Sequence, residues 1–487
     1  MSSYNPRTGA SLEAPPDSTP DEVDDAVAAA VAAAAGLAAA PPHERAGWLD
    51  AIADAITANI EPLAEKADEE VALGMARLTG ECGRAADTIR FYASVVREGG
   101  WLGAAIDHGP PDLRRVNVPL GPVAVFGASN FPFGFGVLGH DTATALAAGC
   151  PVIAKAHPAH PRLSAALAGL ALHALGEAGA PAGSLGLVAG FAAGARLVGH
   201  PAIRAVAFTG SQRGGLALWR QAAERDEAIP VFAEMGTVNT AVVTPAGAED
   251  FDENGFVASF TLGMGQFCTK PGLLLAPKGA GLPDRIAAAL SENSPQGWLL
   301  TEQIAAAYQD GVRELEKSGA RAITRTEASG TGWQAQPAVL AVSPAALRNE
   351  PTLLEEVFGP VALVAEYASN EELNEVLEVL PGSLATAVHA AGDDPDLPGL
   401  VERLSRRCGR VVVNGWPTGV AVGWAQQHGG PWPATTSPAH TSVGAAALQR
   451  FVRPVTFQDT PDAALPPALR SANPWQIPRR VDGTWER

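Results

Sequence analysis

Cysteine is scarce: Cys82, Cys150, Cys268 and Cys408 are the only four in 487 residues. They stand far apart with no C-x-x-C pair, which excludes a disulfide framework and a zinc knuckle and predicts reduced thiols in a cytoplasmic setting. Clustered positive charge is missing too. Thirty-four Lys and Arg face 52 Asp and Glu, giving a net charge of −18, and no basic run exceeds a pair. Nucleic acid and anionic membrane are therefore not expected partners. No apolar run of membrane-spanning length occurs, and the N-terminus lacks the basic-then-apolar pattern of a signal peptide. The nearest approach is the alanine-rich run from Ala26 to Ala40. It follows Thr19 and Glu22 at capping-box spacing, has Pro20 at the first helical position, and stops at Pro41-Pro42. It reads as a soluble surface helix. No internal repeat is present.

What is there suffices for two or three domains, since 47% of residues are hydrophobic and can fill their cores. From Asp21 to about Arg97 apolar residues recur at helical spacing, without obvious chemistry. Gly109-Pro-Pro111 and Leu113 to Pro119 read as a turn and an extended ribbon that needs a sheet or a partner subunit to pair with. Gly121-Pro-Val-Ala-Val-Phe-Gly127 is a buried strand entering a sharp loop at Asn130, followed by a helix up to Ala148 and the strand Pro151 to Lys155. Further short strands at 186–190, 205–208 and 231–234 extend this βαβ pattern, so the region is α/β and doubly wound. Gly134, Gly136 and Gly139 satisfy G-x-G-x-x-G, but not directly after the strand. Helix-packing glycines explain them better than a dinucleotide fingerprint. A second α/β region follows to Gly444, then a second ribbon at 450–457 and a tail rich in Pro and Ala that wraps a surface.

Cys268 lies in Gly263-Met-Gly-Gln-Phe-Cys-Thr-Lys-Pro-Gly272, after an apolar helical run and before a Pro-Gly stop. A thiol is a strong nucleophile once its environment supports the thiolate. The bland reading is a small packing residue, which also suits Cys82, Cys150 and Cys408. His157 and His160 are three apart, but Pro158 between them spoils a helical metal-ligand pair.

Ser129-Asn130-Phe131-Pro132, Lys155, Phe208-Thr-Gly-Ser211, Glu234-Met-Gly-Thr-Val-Asn239, Gln266-Phe-Cys268-Thr and Glu356-Val-Phe358-Gly-Pro360 occur in that order. Together they resemble the aldehyde dehydrogenase superfamily over nearly the whole chain. Ala154 to Pro161, and His428-Gly-Gly-Pro-Trp-Pro-Ala434-Thr with Thr441 to Gly444, resemble the branch that oxidises α-ketoglutaric semialdehyde (2,5-dioxovalerate). An NADP-dependent fatty aldehyde dehydrogenase shares some of these features.

The resemblance implies an aldehyde dehydrogenase-like α/β fold: a Rossmann-like cofactor domain (1-100 and 120-233), an α/β catalytic domain (234-446), and a small oligomerisation ribbon and tail (101-119 and 447-487). It implies homodimers or homotetramers. Cys268 would attack the aldehyde, giving a thiohemiacetal that loses hydride to nicotinamide. Asn130 and the backbone N–H of Cys268 would hold the oxyanion. Glu234 would activate water to hydrolyse the thioester, whereas the bland reading has it satisfied by backbone amides. Lys155 would reach the adenosine ribose, Gly210 and Ser211 would cap the helix at the pyrophosphate, Glu356 would bond the nicotinamide ribose, and Phe358 would pack beside the ring. Lys155 otherwise reads as a snorkelling lysine. No metal is expected.

Two departures stand out. Lys270 occupies a position usually held by Asn in that branch, where it could pair with a substrate carboxylate or lower the pKa of Cys268, or simply face solvent or a local acid. Phe133 is a further candidate substrate contact. After Lys155 the chain has no acid to repel a 2′-phosphate, so NADP is expected over NAD, with Arg196 and Arg213 as possible phosphate donors. The alternatives are a long-chain aldehyde dehydrogenase, a CoA-acylating semialdehyde dehydrogenase, which has no need of Glu234 as base, and a catalytically silent protein on the same scaffold.

Overall fold

The computed structural model describes residues 2–326 and 330–486. Three sheets organise it. In the first, the strands lie in the order Leu185–Val188, Val152–Lys155, Val123–Phe126, Ala205–Gly210, Val231–Met235, all parallel. Strands 123–126 and 152–155 are buried throughout, as a parallel sheet covered on both faces requires. The first of these strands in chain order, Val123–Phe126, is central, and the order reverses between it and 205–210. Ligands of doubly wound sheets bind outside the carboxyl ends of the strands at such a switch point.

The second sheet runs Arg321–Arg325, Ala338–Val342, Val361–Tyr367, Pro271–Pro277, Asn239–Val243, Thr386–His389, Val411–Val413. Only the first pair is antiparallel. The third sheet is where the two ribbons pair. Leu113–Pro119 pairs antiparallel with Val452–Gln458 of the same chain, and Ala105–Asp107 joins it to Arg479–Val481 and Thr484–Glu486 from the tail. The tail thus ends as sheet.

Helix Pro20–Ala39 has the capping box expected of Thr19 and Glu22 and buries Val23, Val27, Ala30, Ala33 and Leu37. The glycines of 134–139 do a different job from helix packing. The helix begins only at His140. A Cβ on Gly136 would sit 2.0 Å from the Pro132 carbonyl oxygen and one on Gly139 2.3 Å from that of Gly134, so these glycines let the loop fold on itself.

Candidate active site

The segment before the cysteine is built to turn sharply. Helix Glu253–Thr261 ends, and Gly263, Met264 and Gly265 follow with φ of 55°, 56° and 66°. For Met264 that left-handed conformation costs about 1–2 kcal/mol, and strain of this kind persists where the surroundings over-determine it. The surroundings are specific. Gln266 donates to the carbonyls of Gly263 and Trp298 and accepts from the Leu300 amide. Asn239, fully buried on the neighbouring strand, donates to the carbonyls of Cys268 (2.7 Å) and Lys270 (3.1 Å).

Cys268 itself keeps partial access to solvent. Its Sγ lies 3.8 Å from His428 Nε2, and that nitrogen is 3.2 Å from Glu234 Oε2. One ligand-type atom from each of the three falls within 4.8 Å of the others. Glu234 ends strand 231–235 at the switch-point side of the first sheet, and Cys268 precedes strand 271–277 of the second, so the site sits where the two sheets meet. Burial, then the carboxylates of Glu234 and Glu356, push the Cys268 thiol well above the ordinary cysteine value, so the ligand-free thiol is neutral at pH 7.

Glu234 does not have the local amide partners of its bland reading. Apart from the 3.2 Å approach of His428 Nε2 to Oε2, its two oxygens are buried without a hydrogen-bond partner, and the residue is 3% exposed. A buried carboxylate left bare is costly and marks a place where something else is to be bound or moved. Asn130, 6% exposed, uses Nδ2 to bond the Gln266 carbonyl at 2.8 Å, which ties the loop after the central strand directly to the cysteine segment. One N–H of that amide is left over for a ligand.

Lys270 has a different occupation from the substrate pairing expected. It is 4% exposed, and Nζ donates to the carbonyls of Val357, Gly359 and Val361 at 2.7, 2.8 and 3.0 Å. Three acceptors match the three N–H of an ammonium. Desolvation pulls its pKa below the usual lysine value while the Glu356 carboxylate pulls it up. Gly265, on the other side of Cys268, packs where a Cβ would be 2.2 Å from the Gly359 carbonyl oxygen. The cysteine segment therefore grips residues 357–361 from both sides, and these adjoin Glu356 and include Phe358. Lys270→Met is expected to orphan three carbonyls and to cost about 3 kcal/mol of stability, read as a fall in the urea midpoint. An unchanged midpoint would mean that the clamp contributes nothing.

The other expected residues divide. Lys155 ends its strand at 7% exposure, with Nζ 4.8 Å from the Phe191 ring centroid. Burial lowers its pKa to about 8 against the pull of Asp17. Ser211 caps helix Gln212–Ala223, accepting from the Gly214 amide, directly after Gly210 ends its strand. Glu356 lies against Gly236, where a Cβ would be 2.0 Å from its Oε2. Burial raises the pKa of Glu356, with Lys270 opposing. Phe133, at 2% exposure, packs in the main core. Arg196 is paired with Asp24 at 2.8 Å, and Arg213 is exposed on the first turn of helix 212–223. His157 and His160 stack on each other, and His160 bonds the Ala128 carbonyl.

Sequence reasoning missed four residues. His428 was noted only as part of a branch motif, and Asn239 only as the end of one. Arg77 and Glu81, one turn apart on helix Met75–Glu98, grip the Asn130 loop. Arg77 Nη2 bonds the Asn130 carbonyl at 2.7 Å, and Glu81 Oε1 accepts from the amides of Phe133 and Gly134. Opposite charges at i, i+4 near the start of the helix were the available signal.

The model for the aldehyde dehydrogenase family matches residues 1–454. Alpha-ketoglutaric semialdehyde dehydrogenase 2 of Azospirillum brasilense is 47% identical over 465 residues, covering 92% of this chain and 89% of that protein. The alpha-ketoglutaric semialdehyde dehydrogenase of Acinetobacter baylyi is 40% identical over 460 residues, covering 90% and 87%. Among solved structures, a variant of proline utilization A from Bradyrhizobium japonicum is 26% identical and matches with a TM-score of 0.79, over 91% of this chain and 45% of that one.

Proposed function

The chain belongs to the aldehyde dehydrogenase family, and on that premise we propose that it oxidises α-ketoglutaric semialdehyde to 2-oxoglutarate, with NADP over NAD. The observation that supports the chemistry is the meeting of Cys268, Glu234 and His428 beside Asn130. The observation that supports the substrate is the pair of similar proteins named for it.

The donor set suits a dinucleotide. Lys155 is a buried cation at the carboxyl end of the sheet, Ser211 opens a twelve-residue helix whose first amides face the switch point, and Glu356 offers an acceptor near Cys268. Lys155 and Ser211 hold the adenosine and pyrophosphate end, and Glu356 the nicotinamide ribose. Bound nicotinamide supplies a hydride acceptor. Exposed Arg213 and the missing acid after Lys155 are the reasons for NADP.

In the proposed reaction Cys268 Sγ bonds to the aldehyde carbon. His428 Nε2, 3.8 Å from Sγ, accepts the thiol proton as that bond forms and returns it to solvent, which leaves the neighbouring Glu234 carboxylate free for the hydrolysis step. The free N–H of Asn130 Nδ2 meets the developing oxyanion, a contact worth about 2.7–4 kcal/mol where such donors have been removed. After hydride loss the acid is held as a thioester on Cys268. Glu234 takes a proton from water, and the hydroxide releases the product and restores the thiol. A bare carboxylate is suited to this, because no existing bond must break first.

The four free cysteines suit a reducing cytoplasm, and among the described residues no helix is long and apolar enough to cross a membrane. Strand Val452–Gln458 is the outer edge of the ribbon sheet, and an open edge of seven residues suits pairing in a homodimer or homotetramer.

The test is a rate comparison of purified protein with α-ketoglutaric semialdehyde, succinic semialdehyde and a long-chain aldehyde, each with NADP and with NAD. The largest kcat/KM is expected for α-ketoglutaric semialdehyde with NADP. A lead for the long-chain aldehyde would overturn the substrate and leave the chemistry standing.

A further inference from the structure

Arg77 has one more hydrogen-bonding group than the protein uses. Its guanidinium lies 5.2 Å from the Phe131 ring centroid and 4.9 Å from that of Phe267. Phe131 follows Asn130 and Phe267 precedes Cys268, so the cation packs on rings that are chain neighbours of the oxyanion donor and the nucleophile. Nη2 is used on the Asn130 carbonyl. Nη1 is buried with no hydrogen-bond partner. Gly263 makes room for it, since a Cβ there would come 2.1 Å from Nη1. Among the described residues Arg77 makes no ion pair: Glu81 Oε1 is taken by loop amides and Glu81 Oε2 has no partner. Burial lowers the pKa of Arg77, with Glu81 opposing at a distance. An arginine remains charged under such a shift.

A desolvated guanidinium that keeps an unused donor is costly unless a ligand completes it, and the ligand that matches its charge and planar fork is a carboxylate. We propose that Arg77 recognises the carboxylate of the substrate, selecting short aldehydes that end in an acid over neutral aldehydes of the same length. This rests on the reading of the site as that of an aldehyde dehydrogenase acting through Cys268. It assigns to Arg77 the pairing that the sequence suggested for Lys270, whose three donors are already taken. Phe131, on whose ring the guanidinium packs, is half-buried, so this side of Arg77 is the one that borders accessible surface.

Two measurements test the proposal on the full-length protein and on Arg77→Met and Arg77→Lys. The first is the ratio of kcat/KM for α-ketoglutaric semialdehyde to that for pentanal. In Arg77→Met the ratio is expected to fall at least about 100-fold, chiefly through KM for the acid substrate, and Arg77→Lys should recover part of it. Arg77 also holds Asn130, so an equal loss for both substrates with an unchanged ratio would reduce Arg77 to a positioning residue and overturn the proposal. The second readout needs no turnover. Glutarate, a carboxylate without an aldehyde, is expected to slow iodoacetamide alkylation of Cys268 in the wild type and not in Arg77→Met. If the wild type oxidises neither aldehyde, the functional reading fails while glutarate protection still decides for or against the carboxylate site. Equal protection in wild type and Arg77→Met overturns it.

Discussion

Cys268→Ala is expected to lose aldehyde oxidation by about 10⁴-fold or more, as enzymes do when the nucleophile is removed, while cofactor still binds. The expectation follows from position. Among the four cysteines, Cys82, Cys150 and Cys408 are buried and only Cys268 has solvent access, beside a histidine and a carboxylate. Steady-state NADPH production and a fluorescence titration with cofactor together check it. Retained turnover in the alanine protein would remove Cys268 from the mechanism, and lost cofactor binding would show a folding defect instead. The pH dependence has a definite sign. Because burial and two carboxylates raise the thiol's pKa, the thiolate grows as pH rises, so iodoacetamide should alkylate Cys268 faster with each step of pH through 7 to 9, without a plateau in that range.

Glu234→Gln is expected to separate the two halves of the reaction. With the base removed, hydride loss still delivers a burst of about one NADPH per chain, and turnover then falls by the roughly 10²–10⁴-fold that a general base contributes. The same change removes one of the two carboxylates that raise the thiol's pKa. Cys268 should therefore become more reactive toward iodoacetamide at fixed pH as the enzyme becomes less active. Stopped-flow absorbance and alkylation rates read the two effects. Full steady-state turnover would transfer the base's role to His428, and an absent burst would mean that Glu234 is needed for attack as well as for hydrolysis.

Residues whose role depends on short local patterns were legible in the sequence. The strand Val123–Phe126, the loop at Asn130 and the capping box at Thr19 follow from spacing and residue type, and the cap at Ser211 from the family resemblance. What was not legible depends on contacts between distant parts of the chain. His428 reaches Cys268 across 160 residues and Arg77 reaches Asn130 across 53, and no periodicity encodes such pairs. Lys270 shows the intermediate case. Its identity was readable as a departure, but its direction was not, because a lysine stem can point to solvent, a substrate or, as here, the carbonyls of another loop. The ribbons were legible as extended chain. Their pairing with each other was not, since a lone strand does not specify its neighbour.

The bare oxygens of Glu234 have a consequence for how durable the protein can be. A buried carboxylate whose one close polar neighbour is a histidine works against folding by on the order of several kcal/mol, a large share of the margin by which an ordinary domain stays folded. Selection for a hardier protein would strike first at the residue that selection for turnover must keep. Thermal resilience in this chain has to come from elsewhere, from the helices and the ribbon sheet, because the catalytic centre is held together at the expense of its own stability.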